Sequence, residues 1–277
     1  MEENYFVYAS VSDNGMAEDL DEDEEVILNP ILKNNLDLKV EEVSNGLDFP
    51  TSMAFLGPDD IVVLEKNEGT VKRIVNGVIL QEPLLRANVA TESERGMLGI
   101  AVDLTSKEDD KIYVFLYYTE SEEGDPSEPI GNRLYKYELE NNELINPKLL
   151  LDLPAIFPRD THNGGKIVIG PADNNLYLTV GDVGSHDLTN PHTIINNKDG
   201  PEPDGRAGIL RVTQDGKAVE GIEGYDDDSG ILGVEYPLNV YYAYGIRNSF
   251  GIGSIFLKPV MSQSQVQYYL SLAKQPY

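Results

Sequence analysis

The sequence contains no cysteine among its 277 residues, which excludes disulfides, thiolate catalysis and zinc sites built on cysteine. It also has no run of about 18 apolar residues, so it predicts no membrane-spanning helix. Basic residues are scarce: 21 lysines and arginines face 48 acidic residues, giving a formal net charge of -27. A field of that sign repels nucleic acid and anionic membranes, tolerates neutral small molecules and keeps a protein soluble.

Several motifs of well-known enzymes are missing as well. The sequence holds no P-loop, no dinucleotide-binding glycine motif, no serine-hydrolase elbow and no zinc-protease helix motif. The acidic run at residues 226–228 begins like a calcium loop, but the required glycine and glutamate are misplaced, so it is interpreted as a solvated turn. Residues 185–187 hold the three residue types of a catalytic triad, but triad members meet in space and need not be adjacent.

Composition divides the chain into three parts. Residues 1–36 form an acidic leader, and the dense like charge of residues 18–25 predicts disorder, with an added edge strand as the alternative. No signal-peptide core is visible there. Residues 37–253 are the predicted folded domain. Residues 254–277 contain no acidic residue and no hairpin turn, so we expect an atypical, non-native ending such as a shifted reading frame, or else an unusual terminal strand or helix.

The central part predicts an all-β fold. Its apolar runs are four to eight residues long, rich in β-branched and aromatic residues and bounded by turn formers, which is typical of strands. No long stretch has a 3.6-residue apolar period, so few helices are expected. The clearest predicted strands are residues 61–64, 71–75, 112–118, 134–139, 167–169, 176–180 and 209–212.

The strands recur as a unit. A glycine-proline turn precedes a strand at residues 57–60 and again at 170–173, and each is followed by a glycine-led strand and a tight turn, Asn76-Gly77 or Asp215-Gly216. A repeated four-stranded unit of roughly 40 to 50 residues is a propeller blade, so the region holds four to five blades. An unrelated antiparallel sandwich is the alternative.

The most informative chemistry lies around His162. This histidine occupies a glycine-rich turn just before a predicted strand, and its pKa range suits a general base. Asp182 ends the next predicted strand, and an antiparallel hairpin would bring both side chains together. The carboxylate would then orient the imidazole and stabilise its protonated form. On the residues alone, a purely structural histidine stays open.

Six segments together resemble the glucose/sorbosone dehydrogenase family of quinoprotein β-propellers. Their order and spacing match over roughly residues 38–252, although no single segment is decisive. The segments are residues 46–55, 94–101, 132–134, 160–184, 205–212 and 244–251. The resemblance implies a propeller of the six-bladed type.

The resemblance also implies a reaction. The family oxidises the anomeric hydroxyl of aldoses to a lactone with pyrroloquinoline quinone (PQQ) and calcium. His162 would remove the hydroxyl proton, Asp182 would hold His162, and Arg247 with Asn248 would face the quinone. Glu94 stands where relatives often place a cofactor-binding glutamine, and its carboxylate would repel a tricarboxylate quinone. The implied partner is a sugar, the electron acceptor is unknown, and the implied location is extracytoplasmic.

One departure from the family limits these expectations. In the family, the calcium-bridging ligands and further basic residues follow the segment that corresponds to residues 244–251. This sequence has no matching segment after it, so the metal ligands are unknown. We therefore expect an incomplete ring and a chain that is truncated relative to the family, with an inactive copy as one outcome. Two other functions stay open: a calcium-dependent lactonase or esterase propeller that uses Asp182 and Asn248, and a non-catalytic binding module.

Overall fold

The computed structural model describes residues 42–104, 111–156, 158–183, 203–219 and 230–253. The predicted leader and the predicted tail lie outside these ranges, as do the acidic run at 226–228 and the triad-like residues 185–187. Every strand belongs to the compact unit Gly46–Tyr277. Within the described ranges, the regular helical structure is one 3-10 turn, Leu238–Val240, and no helix is long and apolar enough to span a membrane.

Three antiparallel sheets follow one another along the chain, and each is a meander of neighbouring strands. In the first sheet the outermost position is shared, because β4 and β5 both pair with β3. Its strands are β1 Pro50–Gly57, β2 Asp60–Glu65, β3 Thr70–Val75, β4 Val78–Ile79 and β5 Leu85–Arg86.

The second and third sheets have four strands each, in simple chain order. The strands of the second sheet are β6 Met97–Asp103, β7 Ile112–Ser121, β8 Pro129–Glu140 and β9 Glu143–Leu153. Those of the third are β10 Ile167–Ile169, β11 Leu176–Val180, β12 Gly208–Val212 and β13 Tyr241–Tyr244.

All seven runs predicted as strands lie within observed strands, and the all-β prediction is confirmed for the described residues. The repeat is confirmed too, because the glycine-proline turns join β1 to β2 and β10 to β11. Asn76 and Gly77 both have positive φ, 50° and 77°, as a two-residue hairpin turn requires. In the turn after β12, only Gly216 has positive φ, at 83°.

The sheets stack face to face like propeller blades. Their first strands, β1, β6 and β10, come together, because β6 contacts both of the others. Strand β7 is apolar on both faces because it packs against sheets on both sides. Val114 and Leu116 pack towards the first sheet, whereas Phe115 and Tyr117 pack towards the third. Successive side chains of a strand point to opposite faces, so a strand between two blades reads as a continuous apolar run.

The described blades do not close a ring. They account for three of the four to five blades that the sequence predicts. On β1, Met53 and Phe55 pair across to Val63 and Ile61 of β2, on the face opposite the second sheet, and remain 37% and 51% exposed. The first sheet therefore carries an apolar face that the described residues leave partly uncovered.

Candidate active site

The loop that carries His162 runs into β10 and is fixed from both sides. The Gly165 N–H donates to the Thr179 carbonyl of β11 over 2.8 Å. The Tyr117 hydroxyl of β7 donates to the Asn163 carbonyl over 3.0 Å. His162 has φ of 59°, a left-handed conformation uncommon for a residue other than glycine. These neighbours hold the imidazole in one place at the junction of the second and third blades.

His162 and Asp182 form a buried pair. The distance from His162 Nδ1 to Asp182 Oδ1 is 2.6 Å, and the two side chains are 6% and 3% exposed. Asp182 closely follows β11, and the Val183 N–H donates to the His162 carbonyl over 3.1 Å. Gly181 permits this approach, since a Cβ there would lie 1.9 Å from the His162 carbonyl oxygen. The hairpin geometry predicted from the sequence thus brings the two side chains together.

Glu94 lies behind the histidine and joins separate parts of the chain. Its Oε2 accepts the His162 backbone N–H over 2.6 Å and an Asn248 side-chain N–H over 3.0 Å. The Asn248 Oδ1 in turn accepts the Gly164 N–H over 3.3 Å. The carboxylate predicted to face the cofactor is therefore engaged by protein donors and supports the histidine loop.

Arg247 meets the pair through its backbone. Its carbonyl oxygen accepts the Asp182 N–H over 2.8 Å. Its side chain is exposed and forms no ion pair with the described residues. The structure thus brings together all five predicted site residues, but the Arg247 side chain does not contact His162 or Asp182 in the described structure.

A buried hydrogen-bond network beneath the loop was not predicted. The Asn132 Oδ1 accepts the Thr119 hydroxyl over 2.7 Å, and its Nδ2 donates to Asn163 Oδ1 and to the Pro154 carbonyl, each over 3.2 Å. Asn132 is fully buried, and Asn163 is 1% exposed. Buried amides that are hydrogen-bonded in this way fix a single loop conformation. One sequence signal of this network was available: Asn132 is a polar residue at a position of strand β8 where a buried apolar residue would be expected.

Replacing Tyr117 with phenylalanine should lower stability by about 1–2 kcal/mol, because the buried Asn163 carbonyl loses its donor. The ring itself would keep its packing, so the loss isolates the hydrogen bond. Tyr242→Phe is the matched control, since that tyrosine makes ring contacts and no hydroxyl hydrogen bond within the described residues. Chemical denaturation measures the stability of both variants. Equal unfolding midpoints would contradict the hydrogen bond assigned to the Tyr117 hydroxyl and the Asn163 carbonyl.

Next to the histidine loop is a cavity of about 280 Å³. It lies among the beginning of β1, the loop before β6 and the segment before β10. Its walls are formed by Phe49, Thr51, Ser52, Lys66, Ser93, Glu94, Leu98, Gly164, Lys166 and Phe250. The cavity contains two lysines and a single carboxylate, so it can receive an anionic group. The described residues contain no cluster of three or more His, Asp or Glu side chains that could hold a metal ion.

Comparison with known proteins decides the family. The family model described as glucose/sorbosone dehydrogenase matches residues 47–255, about three quarters of the sequence. The chain belongs to this family. That result confirms the resemblance, and the glucose/sorbosone dehydrogenase propeller accounts for the three stacked sheets. No significant match was found among curated proteins.

Solved structures agree with the assignment. An oxidoreductase described as a glucose dehydrogenase from Thermus thermophilus is 27% identical, with a TM-score of 0.58 over 77% of this chain and 57% of that one. The PQQ-bound form of aldose sugar dehydrogenase from Streptomyces coelicolor is 26% identical, with a TM-score of 0.55 over 77% and 55%. Apo aldose sugar dehydrogenase from Escherichia coli, at 18% identity and a TM-score of 0.57 over 77% and 56%, shares the fold. The chain thus spans somewhat over half the length of these relatives.

Proposed function

We propose that this chain contributes to PQQ-dependent oxidation of the anomeric hydroxyl of an aldose to a lactone, with His162 as the general base. The observation that carries the proposal is the buried pair of His162 and Asp182, 2.6 Å apart. A catalytic base must be held in one orientation and stabilised once protonated, and a buried carboxylate on one ring nitrogen does both. Membership of the glucose/sorbosone dehydrogenase family supplies the reaction class.

The proton chemistry follows from this pair. When Nδ1–H of His162 donates to Asp182, the basic lone pair is on Nε2, which takes the proton of the anomeric hydroxyl. The imidazolium that forms lies beside the Asp182 carboxylate, which offsets its charge. The Glu94 carboxylate accepts the backbone N–H of His162, so the position of the imidazole ring does not depend on the pairing with Asp182 alone. The chemistry that PQQ supplies when bound is acceptance of the hydride from the anomeric carbon.

The described residues fit an anionic quinone cofactor. PQQ carries three carboxylates, and the site presents the exposed side chain of Arg247 as well as Lys66 and Lys166 in the adjacent cavity. Arginine binds carboxylates through paired hydrogen bonds. Asn248 would lie with Arg247 at the cofactor, as the resemblance implies. Calcium lacks a matching set of ligands among the described residues, so no step is assigned to it.

A reconstitution assay tests the proposal. Purified chain is incubated with PQQ, with and without calcium, and a panel of aldoses is added with a dye as electron acceptor. Dye reduction that requires both PQQ and sugar, with lactone as the product, is the expected result. The absence of turnover while PQQ is shown to bind would contradict the proposal. Calcium-dependent lactone hydrolysis without quinone would favour a hydrolase instead.

The two other functions account less well for the site. A lactonase propeller would use Asp182 as one of the inward carboxylates around its metal, which leaves the pairing of Asp182 with His162 unexplained. A binding module gives no reason for a histidine and an aspartate buried together.

The extracytoplasmic location that the resemblance implies stays a prediction.

A further inference from the structure

The cavity beside His162 holds two lysines from different blades. Lys66 follows β2 of the first blade, and Lys166 precedes β10 of the third. Lys66 is 7% exposed, and its Nζ contacts the Asn67 side-chain oxygen at 2.9 Å and the Thr91 carbonyl at 3.4 Å. Lys166 is half-buried, and its Nζ donates to the Ser52 hydroxyl over 3.1 Å. Both ammonium groups thus contact neutral oxygens.

Neither ammonium forms an ion pair with a described residue, although acidic residues outnumber basic ones by more than two to one in the whole chain. Burial lowers the pKa of both lysines, and Glu94 only partly offsets this effect at Lys66. A buried charge without a counter-charge is costly, so such positions are normally paired. Two lysines without an ion-pair partner among the described residues line this one cavity, which indicates that a ligand supplies the missing negative charge.

The only carboxylate in the cavity wall, that of Glu94, supplies this counter-charge only in part. Glu94 accepts from the His162 N–H and from the Asn248 side chain, and it lies beyond ion-pair distance from both lysines. The cavity wall thus carries two lysines and one carboxylate that His162 and Asn248 already engage, so it can attract an anion.

Aromatic rings give this cavity a shape preference. Phe49 and Phe250 lie in its wall and are 60% and 41% exposed, a large exposure for phenylalanine. Lys66 Nζ lies 5.3 Å from the centre of the Phe49 ring. Exposed aromatic faces beside a cation suit a flat, conjugated ligand that carries acidic groups.

We propose that Lys66 and Lys166 form a carboxylate-binding subsite that holds one acidic group of the quinone cofactor. This subsite rests on the proposed function for the identity of its ligand. Its position links the first and third blades across the second, so ligand binding would stabilise the packing of all three.

Titration calorimetry with two probes tests the subsite. The probes are PQQ and benzene-1,3,5-tricarboxylate, a flat tricarboxylate without redox chemistry. Lys166→Met and Lys66→Met should each weaken binding of PQQ about 10- to 100-fold, the loss expected for one charged hydrogen bond. Lys166→Arg should restore most of the affinity. Lys217→Met, which removes an exposed lysine in the hairpin after β12, is the matched control and should bind like the unaltered protein.

The outcomes separate the subsite from the reaction. PQQ affinity that is equal in Lys166→Met, Lys66→Met and Lys217→Met would overturn the subsite while leaving the sugar oxidation intact. Lysine-dependent binding of both probes without sugar oxidation would support the subsite and contradict the reaction. If neither PQQ nor benzene-1,3,5-tricarboxylate binds to the folded, unaltered protein, the subsite is overturned.

Discussion

His162→Gln lowers the rate of aldose oxidation by the PQQ-loaded protein about 10²- to 10⁴-fold, the usual contribution of a positioned general base. Glutamine preserves much of the side-chain size and can still donate a hydrogen bond towards Asp182, but it cannot take up the proton of the anomeric hydroxyl. The loss should therefore appear in kcat, with a smaller change in KM. Steady-state dye reduction over a range of sugar concentrations measures both.

A role in proton removal has signatures that a purely structural role lacks. The variant should bind PQQ with unaltered affinity, and its residual rate should lose the dependence on pH that one titrating base imposes on kcat/KM. His192→Gln makes the same chemical change at a histidine outside the segments that resemble the family, and it is the matched control. Undiminished turnover in His162→Gln would exclude this histidine as the base.

The pairing of His162 with Asp182 could be predicted because it depends on local rules. Both residues flank one short hairpin, and its two strands were visible as short apolar runs bounded by turn formers. The same rules predicted the turn at Asn76-Gly77, where both residues need positive φ. What the chain specifies over about 20 residues is accessible from the sequence.

The rest of the site depends on how blades pack against each other. Glu94 and Asn248 are 154 positions apart, and Lys166 and Ser52 are 114 apart, yet both pairs form hydrogen bonds. No local pattern specifies such contacts, since they arise only when β1, β6 and β10 converge. Nothing in the sequence indicated that the Glu94 carboxylate supports the histidine loop, and its contact with the cofactor stays a prediction.

Gly99 is a point where this convergence can be tested with one added carbon. It lies in β6, next to a register shift in the pairing with β7, and faces the loop before β10. A Cβ at this position would lie 1.8 Å from the Gly165 carbonyl oxygen and 3.0 Å from the Gly165 carbonyl carbon. Such an approach to backbone atoms cannot be relieved by a change of side-chain rotamer, so the second and third blades would have to separate locally.

Gly99→Ala should therefore destabilise the protein by about 3 kcal/mol, the upper end of the usual range for overpacking. For a domain of this size, that corresponds to a melting temperature lower by roughly 6–12 °C. The matched control is Gly57→Ala at the end of β1, where a Cβ would lie 3.8 Å from its nearest neighbour, an ordinary contact. The control should be neutral or slightly stabilising, because alanine reduces the freedom of the unfolded chain.

The same substitution connects blade packing with the site. Gly165 is three positions after His162, so a shift of its carbonyl moves the loop that Tyr117 and Thr179 hold in place. Gly99→Ala should thus reduce sugar oxidation even at temperatures where the protein stays folded, whereas Gly57→Ala should not. Equal melting temperatures for the two variants would show that β6 and the histidine loop do not meet as closely as described.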